Sequence, residues 1–96
     1  MKTLSCPLCD GFATIESRAG GQFQHVMCTG RCRHTFIISV TASRVFVTPE
    51  GAESKARAAR KVAGRLPRGR IHVVDWSVSH DDVDLSVGLK NAWMSR

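Results

Sequence analysis

The chain has 96 residues, 43% of them hydrophobic and 23% charged, with a formal net charge of +6. That length makes one domain, or a metal module with a small appendage, and no stretch reaches the roughly twenty apolar residues of a membrane span. The opening Met1-Lys2-Thr3-Leu4-Ser5 lacks the apolar run of a secretory signal, so the expected location is the cytoplasm, where thiols stay reduced.

The first chemical signal is Cys6-Pro7-Leu8-Cys9, and the second is Cys28-Thr29-Gly30-Arg31-Cys32. Two residues separate the first pair, three the second, and eighteen lie between them; the chain has no other cysteine. Two close pairs at this distance suit one tetrahedral zinc ion held by the thiolates of Cys6, Cys9, Cys28 and Cys32. Pro7, Gly11 and Gly30 suit the tight bends a knuckle needs. A thioredoxin-like reading of the first pair calls for a strand running into a helix, and no strand is expected before Cys6. A disulfide framework calls for an oxidising compartment. His25 and His34 flank the second pair as alternative ligands, but four cysteines already complete the shell. A closed four-sulfur shell leaves no position for a reacting water, so the metal is read as structural.

Phe12-Ala13-Thr14-Ile15-Glu16-Ser17-Arg18 alternates and predicts a strand; Ala19-Gly20-Gly21 predicts a turn; Gln22-Phe23-Gln24-His25-Val26-Met27 predicts the returning strand. Two strands joined by a glycine turn, with a cysteine pair before each, give a zinc-ribbon hairpin over residues 1–34. Thr35-Phe36-Ile37-Ile38-Ser39-Val40 is β-branched and aromatic and predicts a third strand. Arg44-Val45-Phe46-Val47-Thr48 predicts a fourth after a short turn. Thr48 and Pro49 then look like a helix cap and first helical position. The helix is expected to run to about Ala63, with Gly64 as its stop. Ala52, Ala56, Ala59, Val62, Ala63 and Leu66 would form its apolar stripe.

After a loop at Leu66-Pro67-Arg68-Gly69-Arg70, residues 71–78 predict a strand. Val74, Trp76 and Val78 share one of its faces, Ile71 and Val73 the other. Ser79-His80-Asp81-Asp82 predicts a turn. Val83, Leu85 and Val87 mark a last strand broken at Gly88, and Leu89 to Met94 form a short helix or tail in which Trp93 docks. The expected class is therefore α+β: a zinc-ribbon hairpin followed by a small ββαββ antiparallel sheet over residues 35–96, with one helix packed on it, the two parts forming one compact domain.

Charge is uneven. Residues 1–50 sum to +2, residues 51–70 to +6 and residues 71–96 to −2. The middle segment supplies Lys55, Arg57, Arg60, Lys61, Arg65, Arg68 and Arg70 as candidate contacts to nucleic acid or a partner. Arg31, Arg33 and Arg44 are possible additions. A compact basic patch is the electrostatic footprint of a nucleic-acid binder, although a charge run is more often a solvated helix face.

Cys6-Pro7-Leu8-Cys9, the second pair, and the following Thr35-Phe36-Ile37 together resemble the Ogr/Delta family of phage zinc fingers, as does Ser43-Arg44-Val45-Phe46-Val47-Thr48-Pro49. The resemblance covers residues 4 to about 50. The family usually has four residues inside its second pair where this chain has three, and residues 51–96 match nothing in it. The resemblance implies that the four cysteines are metal ligands. It also implies a phage or prophage regulator that binds DNA and contacts host transcription machinery such as RNA polymerase.

The alternative is a small phage-type protein that binds and inhibits a host nucleic-acid-handling complex, as anti-CRISPR proteins do. The acidic Asp81, Asp82 and Asp84 could then engage a basic groove, although a solvated hairpin turn is their simpler reading. An enzyme is the weakest reading: the chain has no Gly-x-Ser-x-Gly, no phosphate-binding loop and no His-Glu-x-x-His. His80 beside Asp81 and Asp82 is not a site without spatial partners. Either binding function is compatible with a monomer or a homodimer, the latter through an exposed strand edge.

Overall fold

The computed structural model describes residues 2–18, 21–64, 66–77 and 82–89. The fold is α+β. One mixed sheet contains β1 (Lys2–Ser5), β2 (Phe12–Arg18), β3 (Phe23–Cys28), β4 (Thr35–Ser39), β5 (Arg70–Ser77) and β6 (Asp82–Leu89), in that spatial order. Two helices, α1 (Val40–Phe46) and α2 (Ala52–Val62), connect β4 to β5, with a 3₁₀ turn at Pro49–Gly51 between them. Ala19 and Gly20 of the expected glycine turn, Val78, the expected turn at residues 79–81, the tail from residue 90 with Trp93, and Arg65 lie outside the described residues.

The strand pairing explains why the connection is helical. Every neighbouring pair is antiparallel except β4 and β5, which run parallel with Ile37 opposite Val73. Parallel neighbours need a crossover that returns the chain to the same end of the sheet. The segment read as a strand at Arg44-Val45-Phe46-Val47-Thr48 is therefore largely helix: α1 occupies residues through Phe46. Ser39 starts it, its hydroxyl accepting from the Ala42 N–H at 3.1 Å. Ala42 and Phe46, four residues apart, are both buried under the helix. Burial of that pair outweighs the strand propensity of Val45, Phe46 and Val47. The sheet is therefore mixed and not antiparallel throughout as expected: with residues 40–46 helical, the strand that pairs with β4 on that side is β5, running parallel to it. A strand also precedes the first cysteine pair, β1 pairing with β2 along its whole length.

The helices cover one face of the sheet. Ala13, Val26, Phe36, Ile38 and Val74 from the strands meet Ala42, Phe46, Ala58 and Val62 from the helices in one buried cluster, with Trp76 packed against it. Ile37, Ile71 and Val73 lie on the other face with Phe23 against them. The expected split of β5 into two faces holds for Val74 and Trp76 against Ile71 and Val73; Val78 lies outside the described residues. Helix α2 starts at a capped turn, Thr48 Oγ1 accepting from the Gly51 N–H at 3.2 Å. Its buried residues are Ser54, Ala58 and Val62, whereas Ala52, Ala56 and Ala63 are exposed. The helix is turned by roughly 100° from the orientation its alanines suggest. Alanine is small enough to sit on either face, so it fixes the rotation poorly. Gly88 does not break the last strand; it sits opposite Ile71. No helix among the described residues is long and apolar enough to cross a membrane.

Candidate metal centre

The two cysteine pairs sit at one end of the β2–β3 hairpin. The backbone of each pair closes on itself in the same way. Cys6 N–H donates to the Gly11 carbonyl at 2.6 Å, and Cys28 N–H donates to the His34 carbonyl at 3.1 Å. The second ring is one residue longer, which absorbs the extra residue of the second pair. The residue after each closing cysteine takes a left-handed backbone: Asp10 at φ 64 and Arg33 at φ 54. The reversal therefore falls on Asp10 and Arg33 rather than on the glycines.

Gly11 and Gly30 have a different task. A Cβ at Gly30 would lie 2.5 Å from Phe12 N and 2.9 Å from Gly11 Cα, and one at Gly11 would lie 2.6 Å from Arg31 N. The two knuckles meet backbone to backbone, and any side chain there would hold them apart.

This contact brings the four sulfurs together. Cys6, Cys9, Cys28 and Cys32 Sγ all lie within 4.8 Å of one another. Cys6 and Cys32 sulfurs are 3.8 Å apart, and Cys9 and Cys28 sulfurs 3.5 Å. All four cysteines are free thiols. A tetrahedron with metal–sulfur bonds of about 2.3 Å has edges of about 3.8 Å, so the donor set is positioned to hold one metal ion. Cys9 Sγ accepts from the N–H groups of Gly11 and Cys32, each at 3.4 Å. Such donors orient a thiolate ligand and spread its charge. Neither His25 nor His34 joins the cluster.

The thiols differ in acidity. Burial is the largest influence on Cys28 and opposes ionisation, but the backbone of Arg33, the thiols of Cys32 and Cys9 and the backbone of Gly30 outweigh it and bring Cys28 down to about 6. Burial dominates at Cys6 and pushes it up to about 11. Burial also raises Cys32. Packing four sulfurs in a half-buried pocket resists accumulation of negative charge, and a cation at their centre relieves that resistance. The centre is continuous with the core: Cys6, Leu8 and Cys28 are buried in the cluster that includes Phe36 and Phe46, with Cys9 and Cys32 packed against it.

Among the described residues, the six cations of residues 51–70 other than Arg65 do not form one uniform patch. Arg60, Lys61, Arg68 and Arg70 are exposed. Lys55 is turned to the knuckle, its Nζ 2.8 Å from Asp10 Oδ1 and its side chain 21% exposed. Arg57 is half-buried, its Nη2 donating to Ser54 Oγ at 3.1 Å. Arg31, Arg33 and Arg44 are exposed. Sequence pattern assigned no part to Asp10. The signal was its position directly after a ligand, where a left-handed residue points its side chain out of the knuckle. Comparison with protein-family models, with curated proteins and with solved structures finds no match to this chain.

Proposed function

We propose that the four cysteines hold one structural zinc ion and that the domain it organises binds nucleic acid. The observation that carries the first part is the set of four sulfurs within 4.8 Å. A shell of four sulfurs leaves no coordination position for substrate, so the ion contributes folding energy rather than turnover. The second part rests on the net charge of +6 and on the exposure of Arg60, Lys61, Arg68 and Arg70 around the C-terminal end of α2 and the start of β5. Cations in one stretch of surface bind phosphate by releasing condensed counterions. Such contacts position a protein without reading sequence.

The resemblance of residues 4–50 to the Ogr/Delta proteins supports the finer reading: a phage or prophage regulator acting in a bacterial cytoplasm on DNA and the host transcription machinery. A gel shift with random duplex DNA at low and moderate salt, run beside a lysate pull-down with and without nuclease, tests it. A salt-sensitive shift and nuclease-sensitive retention of partners support the reading. Nuclease-resistant capture of proteins with no DNA shift replaces it with a protein-binding inhibitor.

A further inference from the structure

Phe12 opens β2 with 74% of its surface exposed. The strand alternation explains which way it faces. Ala13 belongs to the helix-side core and Ile15 packs against it, so Phe12 lies on the opposite face. Its cross-strand neighbour on β1 is Ser5, and continuing the β2–β3 register by one residue brings it to Thr29. Both neighbours are small and exposed. The ring is uncovered, yet its backbone is fixed. The Phe12 carbonyl accepts the N–H groups of Thr29 at 2.9 Å and Gly30 at 3.0 Å. Gly30 is so close that a Cβ there would lie 2.5 Å from Phe12 N.

The loop bonded to Phe12 also carries charge. Arg31 and Arg33 are both exposed. Arg33 holds φ 54, a conformation glycine adopts freely and other residues reach at a cost of about 1 kcal/mol or more. A bare aromatic ring on a strand bonded to a loop that carries two exposed arginines has the make-up of a base-stacking surface. A protein hot spot would instead set the ring within an apolar patch, and here the residues directly across from it on the two flanking segments are Ser5 and Thr29. Bases within a duplex have their faces occupied by one another, so the matching ligand is an unpaired base.

We infer that Phe12, Arg31 and Arg33 form a platform for single-stranded nucleic acid, one base stacking on the Phe12 ring and adjacent phosphates meeting the two arginines. This rests on the nucleic-acid reading above and adds to it a strand preference and a second location, at the metal end of the sheet.

The test is fluorescence anisotropy on the metal-loaded full chain with a labelled oligothymidylate of about twelve nucleotides and with a blunt duplex. Phe12→Ala and Phe12→Leu are each expected to weaken oligothymidylate binding about ten-fold while duplex binding stays within about two-fold. Phe12→Trp keeps the affinity, and its emission is quenched on binding. Arg33→Gly weakens binding while metal content is retained. Phe12→Leu binding as tightly as the parent protein overturns stacking, and equal losses for strand and duplex overturn the strand preference. A parent protein that binds neither ligand removes the nucleic-acid reading itself. A parent that binds both, with every Phe12 variant unchanged, removes only the platform.

Discussion

Lys55 on α2 reaches across to the first knuckle and donates to Asp10 at 2.8 Å. The contact joins two segments 45 residues apart, so the helix orientation and the metal loop are tied by charge as well as by packing. Asp10 is 71% exposed, which screens the pair. A double-mutant cycle with Lys55→Met and Asp10→Asn is expected to give a coupling of about 0.5 kcal/mol at low salt. The coupling should fade in about 1 M salt, where the Debye length is near 3 Å. Coupling that survives high salt would mean that the two side chains interact through packing instead.

The phosphate-binding prediction follows from which cations the fold leaves exposed. If Arg60, Lys61, Arg68 and Arg70 each meet one phosphate, log affinity for duplex DNA falls against log salt with a slope of about −3.6. Each Ala substitution among them lowers the slope by about 0.9. Lys55→Ala leaves it unchanged, because that ammonium is committed to Asp10. A slope that drops as much for Lys55→Ala as for Arg60→Ala would show that the ion pair opens on binding.

Much of this architecture can be read from the residues, and the places where it cannot have a common cause. The cysteine spacing gives the metal cluster because two knuckles on a hairpin have few ways to meet. The alternation of Val74 and Trp76 against Ile71 and Val73 gives the two faces of β5. The segment after β4 misleads because Val45, Phe46 and Val47 favour a strand locally, while the parallel pairing of β4 and β5 demands a crossover that no local pattern announces. Helix α2 misleads in rotation because four of its eleven residues are alanine, a residue that packs or faces water with little penalty. Arg57 reads as part of the arc opposite the alanine stripe and Lys55 as lying at the stripe's edge; the rotation half-buries Arg57 and turns Lys55 to the knuckle.

That rotation can be measured. Ala58 is fully buried and Ala56 exposed. Ala58→Leu is expected to destabilise the fold by about 1–3 kcal/mol through overpacking, and Ala56→Leu to change stability by no more than about 0.5 kcal/mol. Urea unfolding of the two metal-loaded variants decides this, and a reversed order would restore the alanine stripe.

The glycine contact between knuckles gives a sharper prediction. Gly30→Ala places a methyl 2.5 Å from Phe12 N, where only backbone movement can make room. The variant is expected to lose at least about ten-fold in metal affinity, measured by competition with a chromophoric chelator. Affinity equal to the parent would mean that the knuckles are not in contact.

Metal uptake carries a proton signature. At pH 7, Cys28 at about 6 is largely ionised, whereas Cys6 at about 11 and the raised Cys32 are protonated. Binding therefore expels protons from Cys6 and Cys32 and little from Cys28, so fewer than four are released. Protons compete with the metal, so affinity rises with pH. A group whose pKa is lowered to about 6 adds its own proton to the competition only below that value, so the dependence steepens by one proton as pH falls through 6. Calorimetry in buffers of different ionisation enthalpy reads the count directly. Release of four protons at pH 7 would show that Cys28 is not ionised beforehand.

Because Cys6, Leu8 and Cys28 share a core with Phe46, Ala58 and Val62, the metal is expected to support the whole sheet. The decisive measurement is X-ray absorption at the metal edge of freshly purified protein, with total metal determined on the same sample. The account predicts one zinc per chain with four sulfur neighbours at about 2.3 Å. It also predicts that chelation disperses tertiary structure throughout. Nitrogen or oxygen in the first coordination sphere, or a fully ordered protein carrying less than about half an equivalent of metal, would contradict it.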